Sequence, residues 1–378
     1  EAERSAIAKQ LLGSCGQNVT LGRGFWCDYG CNIHVGENFY VNYGVVILDV
    51  CKVTIGRNCL IAPQAGIYTA CHPLDEATRI SGLELGKPVT IGDNCWIGGS
   101  AVINPGEEML TFAPYFVEYG FYVANHGGSL RAVNSLPDTF APDMDALEAA
   151  ISEKTRVLLI NSPHNPTGVV YTRSQIEAIT SLLERKSRQF GKPIWLIADE
   201  PYRFLAYDGV EVPSVLPLYP YAVVISSFSK SLSLPGERVG YVAVSPLLQE
   251  HGTLMAALTL TNRILGFVNP PVVGQHIMAA ALGSQVDLSI YAARRKAMSE
   301  VLDAAGYDYQ MPAGAFYFFP KAPGGDDVAF VNRLLEERVL AVPGSGFGYP
   351  GHFRLAFCVD EKVIRRAADG FAAARAAF

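Results

Sequence analysis

The stretch SFSKSLSLPGERVGY (227–241) decides how the larger part of this chain folds. It continues the apolar run AVVIS (222–226), which is typical of a buried strand. Small serines flank Lys230, and PGE (235–237) then indicates a turn before Arg238. A lysine of this kind, placed just beyond a strand, is suited to attack a carbonyl group, because partial burial makes its amine easier to deprotonate.

Two further apolar runs, RVLLINSP (156–163) and PIWLIADEPYR (193–203), also end in polar residues. In this part of the chain such runs alternate with helical segments, which predicts an α/β fold with a largely parallel sheet. Ligands of such sheets bind beyond the carboxyl ends of the strands. We therefore expect Asn165, Asp199 and Lys230 to converge on one crevice.

The groups at these strand ends suit pyridoxal phosphate, whose usual protein partners are a lysine and a carboxylate on the protonated ring nitrogen. Tyr202 offers a phenol nearby, and Ser227 and Arg238 offer donors to a phosphate. Taken singly, Lys230 also suits a solvated surface and Asp199 a helix N-cap. Their joint order at strand ends favours the cofactor site.

The sequence resembles the class I and II (fold-type I) pyridoxal-phosphate aminotransferases over about residues 104–378. The resemblance implies a large domain with a mostly parallel sheet over 107–265 and a small α+β domain over 266–378. It also implies a ping-pong transfer of an amino group from an amino acid to a 2-oxo acid. The matching blocks are APYFVEY (113–119), NSPHNPTG (161–168), DEPYR (199–203), SFSKSLSLPGERVGY (227–241), PAGAFYFFP (312–320) and PGSGFG to FRLAF (343–357).

This resemblance implies roles for individual residues. Lys230 would form the Schiff base with the cofactor and move the substrate proton, and Asp199 would pair with the ring nitrogen. Tyr202, also expected to be catalytic, and Asn165 would bind the ring oxygen, while Phe116 would stack on the ring. The other implied binding residues are Ser227, Ser229 and Arg238 on the cofactor and its phosphate, and Arg354 on the substrate α-carboxylate.

The first hundred residues have a different periodicity. Aliphatic residues recur every six positions, and a tetrad of aliphatic-Gly-x-Asn appears at 35–38, 55–58 and 91–94. This period predicts a β-solenoid, with one aliphatic side chain of each short strand pointing inward and Gly or Asn at the turns. A set of ordinary hairpins is the alternative. The predicted inward residues are Val35, Val41, Ile47, Ile55, Ile61, Ile67, Ile91, Ile97 and Ile103.

Residues 5–106 resemble the hexapeptide-repeat acetyltransferases of the maltose/galactoside group, which implies a left-handed parallel β-helix as domain 1–106. By this resemblance His72 would be the general base that deprotonates an acceptor hydroxyl. Asn42 and Asp49 would line the acceptor site, and Trp96 would lie near an acetyl-CoA channel. The matching stretches are CDYG (27–30), ENFYVNYGVVILD (37–49), TACHPL (69–74), GKPVTIGDNCWIGG (86–99) and INPG (103–106).

The two resemblances meet in VINPG (102–106), which suits both families. The aminotransferase pattern lacks its glycine-rich phosphate turn and its first strand, so we expect weaker phosphate binding and an unpaired sheet edge. We interpret the join as a recombination or a chimera. Three hypotheses result: an aminotransferase acting through Lys230, an acetyl-CoA-dependent sugar O-acetyltransferase acting through His72, and a non-catalytic chimera.

Composition limits the class of protein. The chain has 378 residues, of which 49% are hydrophobic and 17% charged, with a net charge of −6. These values are typical of a soluble globular enzyme and predict neither a nucleic-acid nor a membrane partner, with the cytoplasm as the expected compartment. The expected partners are a small amino acid and a 2-oxo acid. A homo-oligomer is expected, because aminotransferase relatives are dimers and solenoid relatives trimers.

Cysteines are concentrated in the first region, where all of the 8 except Cys358 precede residue 100. The expected cytoplasmic location disfavours disulfides. No pair has C-x-x-C spacing, so a zinc site is only weakly indicated and no metal is predicted. We expect these cysteines to be small buried packing residues.

Overall fold

The computed structural model describes residues 2–61, 65–71, 81, 85–93, 95–97, 106–124, 127–264 and 269–378. The chain divides into two compact units, one of Glu1–Ala101 with Gly252–Asn269 and one of Val102–His251 with Pro270–Phe378. Among the described residues, no helix combines the length and the apolar character needed to cross a membrane. The bounds of the three domains expected from the sequence, 1–106, 107–265 and 266–378, remain predictions.

The first unit begins with helix α1 (Ala2–Leu11) and continues as a series of very short strands. The described strands are β1 Ser14–Cys15, β2 Thr20–Leu21, β3 Trp26–Cys27, β4 Ile33–Val35, β5 Tyr40–Val41, β6 Val46–Leu48, β7 Val53–Ile55, β8 Leu60–Ile61, β9 Gly66–Tyr68, β10 Ala70–Cys71, β11 Leu85–Gly86, β12 Val89–Ile91 and β13 Trp96–Ile97.

These strands form the faces of a β-solenoid. Three sheets, β1-β4-β7-β12, β13-β8-β5-β2 and β3-β6-β9, contain only parallel neighbours. Successive coils pair in register, so that Ile33 lies beside Val53 and Trp26 beside Val46. An antiparallel pair, β10 with β11, lies in the longer connection between β9 and β12. The predicted solenoid, rather than a set of hairpins, is confirmed.

The six-residue period explains the solenoid core. The predicted inward residues from Val35 to Ile67 are all buried in one cluster, and Ile91 packs against it. The side chains of Ile97 and Ile103 lie outside the described residues. Each coil therefore buries its aliphatic residues against the next coil, as expected for a repeat that cannot bury its apolar face alone.

A row of asparagines forms one corner of the solenoid. Asn18, Asn38 and Asn58 have φ of 56°, 56° and 55°, in the left-handed region that asparagine tolerates. The Nδ2 of Asn18 donates to Oδ1 of Asn38 over 3.0 Å, and Nδ2 of Asn38 donates to Oδ1 of Asn58 over 2.8 Å. The predicted role of Asn in these turns is confirmed.

The expectation that the cysteines are buried is wrong for most of them. Cys59 is buried, whereas Cys31 and Cys358 are exposed and the other cysteines with described side chains are half-buried. The interior positions of each coil belong to aliphatic strand residues, which leaves most cysteines at the margin of the core. Within the described residues no group of three or more potential metal ligands is found.

A six-stranded sheet dominates the second unit, in the order β15-β14-β16-β17-β18-β19. All neighbours are parallel except β18 and β19, which are antiparallel. Within the described part of the chain, β15 and β19 at the two ends of the sheet each pair on one side only. An edge left unpaired by a missing strand stays a prediction. The strands are β14 Glu108–Ala113, β15 Ser129–Asn134, β16 Thr155–Asn161, β17 Trp195–Asp199, β18 Ala222–Ser227 and β19 Gly240–Val244.

Helices lie between most of the strands from residue 107 onward, in agreement with the predicted α/β fold. One of them begins at a capping box between Thr172 and Gln175 and ends at Gly191, whose φ is 64°. The helices up to residue 281 are α2 Glu118–Ala124, α3 Met144–Ala150, α4 Arg173–Phe190, α5 Phe228–Ser231, α6 His251–Ile264 and α7 Val272–Ala281.

The carboxy-terminal part of the second unit is a small α+β layer, as predicted. A three-stranded antiparallel sheet contains β20 (Tyr317–Phe318), β21 (Val342–Pro343) and β22 (Phe353–Ala356), with β22 in the centre. Its core is rich in phenylalanine, including Phe318 and Phe353. The helices that accompany it are α8 Leu288–Ala304, α9 Asp327–Glu336, α10 Glu361–Arg366 and α11 Ala368–Ala376.

Candidate active site

Polar residues meet at the carboxyl ends of the central strands. Asn161 ends β16 and Asp199 ends β17, and the two are direct neighbours in the register of the sheet. The Nδ2 of Asn161 donates to the backbone oxygen of Asp199 over 2.7 Å. Ser227 ends the next strand, β18, and Lys230 follows within α5. The strand ends therefore collect their polar side chains at one edge, as the apolar runs predict.

Asp199 has a half-buried carboxylate with one strong partner. Its Oδ2 accepts a hydrogen bond of 2.6 Å from the phenol of Tyr119, at the start of α2. Burial raises the pKa of Asp199 above its ordinary value, and the hydrogen bond from Tyr119 acts in the opposite direction. No side chain among the described residues donates to Oδ1, so this oxygen is available to a further donor.

The loop after β16 connects Asn165 to an arginine of the small sheet. The backbone N–H of Asn165 donates to Oδ1 of Asn161 over 2.6 Å, which fixes the loop against the strand end. The Nη1 of Arg354, on β22, donates to Oδ1 of Asn165 over 3.0 Å. The Arg354 guanidinium also lies over the rings of Tyr317 and Phe347, at 4.7 and 4.8 Å. The guanidinium therefore has a defined orientation.

Tyr202 contacts Tyr317, whose ring also lies against the Arg354 guanidinium. Its phenol is buried and shares a hydrogen bond of 2.9 Å with the phenol of Tyr317. Burial raises the pKa of Tyr202 far above its ordinary value; Tyr317 and Asp199 act in the same direction, and Arg354 acts against them. Tyr202 is therefore protonated at neutral pH and remains a hydrogen-bond donor.

Lys230 joins the same arrangement through an aromatic ring. Its Nζ lies 5.4 Å from the ring centroid of Phe316, and that ring lies edge-on to Tyr202 at 5.4 Å. Lys230 is half-buried at the end of β18 and α5. A continuous series of contacts therefore runs from Lys230 through Tyr202 and Arg354 to Asp199.

Four other candidate residues do not belong to this series of contacts: Phe116, Ser227, Ser229 and Arg238. The half-buried ring of Phe116 is edge-on to Tyr119 at 5.7 Å. Arg238 is exposed, and its Nη1 donates to the backbone oxygen of Pro235 over 2.9 Å. The hydroxyls of Ser227 and Ser229 form no hydrogen bond with the described residues. The roles of these four residues stay predictions.

The candidate residues of the solenoid are less completely placed. His72 lies outside the described residues, as does the side chain of Trp96. Asn42 accepts from the N–H of the residue after it, Tyr43, over 2.8 Å.

Asp49 is fully buried, and its carboxylate accepts from the backbone N–H groups of Tyr29 at 2.9 Å and Asn32 at 3.3 Å. These bonds hold one corner of the coil together. The predicted place of Asp49 in an acceptor site stays untested.

Sequence reasoning missed Tyr119 and Tyr317. Tyr119 follows Phe116 by three residues, and this helical spacing could have indicated that both face one site. Tyr317 belongs to the aromatic run GAFYFF (314–319), in which no pattern distinguishes a site residue from a core residue.

A family model described as aminotransferase class I and II matches residues 97–371. The chain therefore belongs to this family, which confirms the prediction of a pyridoxal-phosphate-dependent aminotransferase.

Two aminotransferases show the extent of this similarity. The chain is 33% identical to an aspartate aminotransferase of Thermotoga maritima over 71% of this chain and 69% of that protein. A solved aminotransferase structure from Eubacterium rectale has 40% identity and a TM-score of 0.71, over 74% of this chain and 70% of that one.

The first region has separate relatives. A putative acetyltransferase of Dictyostelium discoideum is 57% identical over 104 residues, which are 28% of this chain and 55% of that protein. The chain thus spans about half the length of this relative. The resemblance of the solenoid to acetyltransferases is confirmed, and acetyl transfer by this chain is not.

The donor set fits pyridoxal phosphate. The described residues provide an amine on Lys230, the available Oδ1 of Asp199, a protonated phenol on Tyr202 and an aromatic ring on Phe116. These are the groups that tune and hold this cofactor in proteins.

Proposed function

We propose that Lys230, Asp199 and Arg354 carry out the reaction of this pyridoxal-phosphate-dependent aminotransferase, the transfer of an amino group from an amino acid to a 2-oxo acid. One observation carries the proposal: the three residues, 31 and 124 positions apart along the chain, belong to one series of contacts. The steps of that series are Lys230–Phe316, Phe316–Tyr202, Tyr202–Tyr317, Tyr317–Arg354, Arg354–Asn165, Asn165–Asn161 and Asn161–Asp199.

When bound, pyridoxal phosphate supplies an electron sink for the bond that breaks at the substrate α-carbon. Lys230 would hold the cofactor through Nζ and then move the proton to and from the α-carbon. Asp199, ionised, would keep the ring nitrogen protonated through its available Oδ1. The half-buried position of this carboxylate strengthens such a pairing, because water screens it less than it would screen an exposed group.

Six neighbouring residues would bind the ring and the phosphate of the cofactor. Phe116 would stack on the ring face, and Tyr202 with Nδ2 of Asn165 would donate to the ring oxygen. Arg238 would bind the phosphate, and its exposure leaves the guanidinium accessible. Ser227 and Ser229, whose hydroxyls form no hydrogen bond with the described residues, would assist it.

Arg354 would bind the substrate α-carboxylate. Two aromatic rings and the Asn165 amide hold its guanidinium on several sides, so little conformational freedom is left to lose on binding. A planar guanidinium offers a carboxylate two parallel hydrogen bonds. Aspartate is the first donor to test, because the Thermotoga relative is an aspartate aminotransferase. A homo-oligomer and a cytoplasmic location stay predictions.

The test adds pyridoxal phosphate to the purified protein. A visible absorption band should appear, and amino transfer from aspartate to 2-oxoglutarate should be detectable by mass spectrometry. Lys230→Ala should remove the band and lower the transfer rate at least about a hundredfold. Lys192→Ala, which changes an exposed lysine outside the contact series, is the control and should alter neither.

Two results would overturn the proposal. One is a wild-type protein that gives no band at saturating pyridoxal phosphate, as a non-catalytic chimera would. The other is a band that persists in Lys230→Ala. Transfer of acetyl from acetyl-CoA to a sugar, lost in His72→Ala, would instead identify the solenoid as the active part.

A further inference from the structure

Tyr119 contacts both Asp199 and Phe116, the acid and the aromatic ring of the candidate cofactor site. It lies on the first turn of α2, with 4% of its surface exposed. Its phenol donates to Oδ2 of Asp199 over 2.6 Å, and its ring is edge-on to Phe116 at 5.7 Å. Its backbone N–H donates to the oxygen of Phe116 over 3.1 Å, so the two residues are also held together by the main chain.

In the hydrogen bond between Tyr119 and Asp199 the phenol is the donor and the carboxylate the acceptor. Burial raises the pKa of Tyr119 well above its ordinary value, and the neighbouring Asp199 carboxylate raises it further. The phenol is therefore protonated at every pH at which the protein would work, and it donates rather than accepts. A hydrogen bond to an ionised acceptor is short and about twice as strong as a neutral one. It favours the ionised form of Asp199 over the neutral form that burial favours.

The geometry also limits the orientation of the carboxylate. Asn161 fixes the backbone oxygen of Asp199, and Tyr119 occupies Oδ2. One carboxylate oxygen, Oδ1, is left for a donor other than the described residues. The acid is thus anchored at both its main chain and one side-chain oxygen.

We infer that Tyr119 is a positioning residue of the aminotransferase reaction, which holds Asp199 ionised and presents Oδ1 to the ring nitrogen of pyridoxal phosphate. This inference rests on the proposed function, because it needs the cofactor to bind beside Asp199. Tyr119 itself touches neither the substrate nor the cofactor in this role. Its effect should therefore depend on the ring nitrogen and on Asp199.

The experiment compares two ligands of the cofactor-free protein. Tyr119→Phe removes the phenol oxygen and keeps the ring. Its dissociation constant for pyridoxal phosphate should rise about tenfold, the loss expected for a hydrogen bond to a charged group. The dissociation constant for 1-deazapyridoxal phosphate, which has carbon in place of the ring nitrogen, should not change. The absorption band of the bound cofactor should also lose its protonated-ring form at a lower pH than in the wild type.

Two further variants separate positioning from packing. Tyr219→Phe removes another buried phenol, which donates to the backbone oxygen of Ile194 over 2.8 Å, and should leave both dissociation constants unchanged. In an Asp199→Asn background, Tyr119→Phe should have no further effect, because the charge through which it acts is gone.

The outcomes are distinct. If the wild type binds neither ligand, the proposed function fails. If the wild type binds pyridoxal phosphate and Tyr119→Phe weakens both ligands equally, the phenol only supports packing and the inference is overturned. The inference is also overturned if Tyr119→Phe changes nothing, or if its effect persists in Asp199→Asn.

Discussion

The solenoid and the aminotransferase unit are built from contacts of very different range along the chain. In the solenoid the side chains of Asn18 and Asn38 pair at a separation of 20 residues, and the same step joins Asn38 to Asn58. In the candidate active site Tyr119 reaches Asp199 across 80 residues, and Arg354 reaches Asn165 across 189.

This difference explains how each region can fail. A repeat is stabilised by its neighbours, so a substitution in one coil should weaken the stack and change no chemistry. A site collected from several strand ends depends on the whole sheet and on single polar atoms. Substitutions in the solenoid should therefore change its stability, whereas substitutions in the site should change binding and catalysis.

The largest effect is expected at Arg354, the residue with the longest-range contact of the site. Arg354→Ala should raise KM for the amino donor about a hundredfold, because the α-carboxylate of the bound substrate would be left without its partner in the site. Arg354→Lys should recover little of this loss, since a lysine cannot make the same two parallel hydrogen bonds. Steady-state kinetics with varied aspartate and 2-oxoglutarate measure the change.

The control for Arg354 is Arg365→Ala. This arginine forms ion pairs with Glu300 and Glu361 at the surface of the same unit. Surface pairs contribute roughly 0–1 kcal/mol, so KM should be unchanged. A similar KM increase in both variants would mean that general loss of folding, rather than carboxylate binding, explains the result.

The next effect belongs to the solenoid core. Ile47 has 0% of its surface exposed, and Ile47→Ala should lower the free energy of unfolding of the solenoid by about 2–5 kcal/mol. Affinity for pyridoxal phosphate should stay at its wild-type value. Phe353→Ala, an equally buried change in the small sheet, should lose about 3–5 kcal/mol and weaken cofactor binding as well. Calorimetry measures the unfolding free energy of both variants, and cofactor titration measures their affinity for pyridoxal phosphate. An equal loss of affinity in Ile47→Ala and Phe353→Ala would contradict the expected difference between the two regions.

A smaller effect is expected from pH in the aminotransferase unit. His164 is buried, and burial lowers its pKa to about 4, while a hydrogen bond to the Pro114 carbonyl opposes the shift. The unfolded state takes up the proton near pH 6.5 and the folded state only near pH 4. Stability is therefore complete above pH 6.5 and is lost as pH falls towards 4, by roughly 3 kcal/mol.

Urea unfolding at several pH values between 7 and 4 measures this loss. His164→Gln removes the titrating group and can still bond to Thr167, whose Oγ1 lies 2.7 Å from Nδ1 of His164. The variant should show a flatter dependence of unfolding free energy on pH over this window. An unchanged slope would assign the loss to other groups.

The same comparison shows what the sequence could predict. Aliphatic residues every six positions identify the solenoid, because each short strand of a solenoid points one aliphatic side chain inward. Asp199 and Lys230 could be predicted as site residues, since parallel strands present their carboxyl ends at one edge. For Tyr119 the sequence offers only its three-residue spacing from Phe116, because its contact with Asp199 depends on how α2 packs against a strand that ends 80 residues later. Tyr317 was missed for the same reason, since its partner Tyr202 is 115 residues away.

The smallest effects concern residues in the left-handed conformation, where the two regions should respond with opposite signs. Asn38 has φ of 56° and joins the asparagine row, whereas the exposed Arg338 has φ of 62° at the end of α9 and belongs to no such row. Arg338→Gly should stabilise the aminotransferase unit by up to about 1 kcal/mol, because glycine adopts this conformation at no steric cost. Asn38→Gly should destabilise the solenoid by about 1 kcal/mol despite the same relief, since two side-chain hydrogen bonds are lost. Melting temperatures of both variants decide the matter, and a stabilising Asn38→Gly would show that the row of asparagines contributes only its backbone conformation.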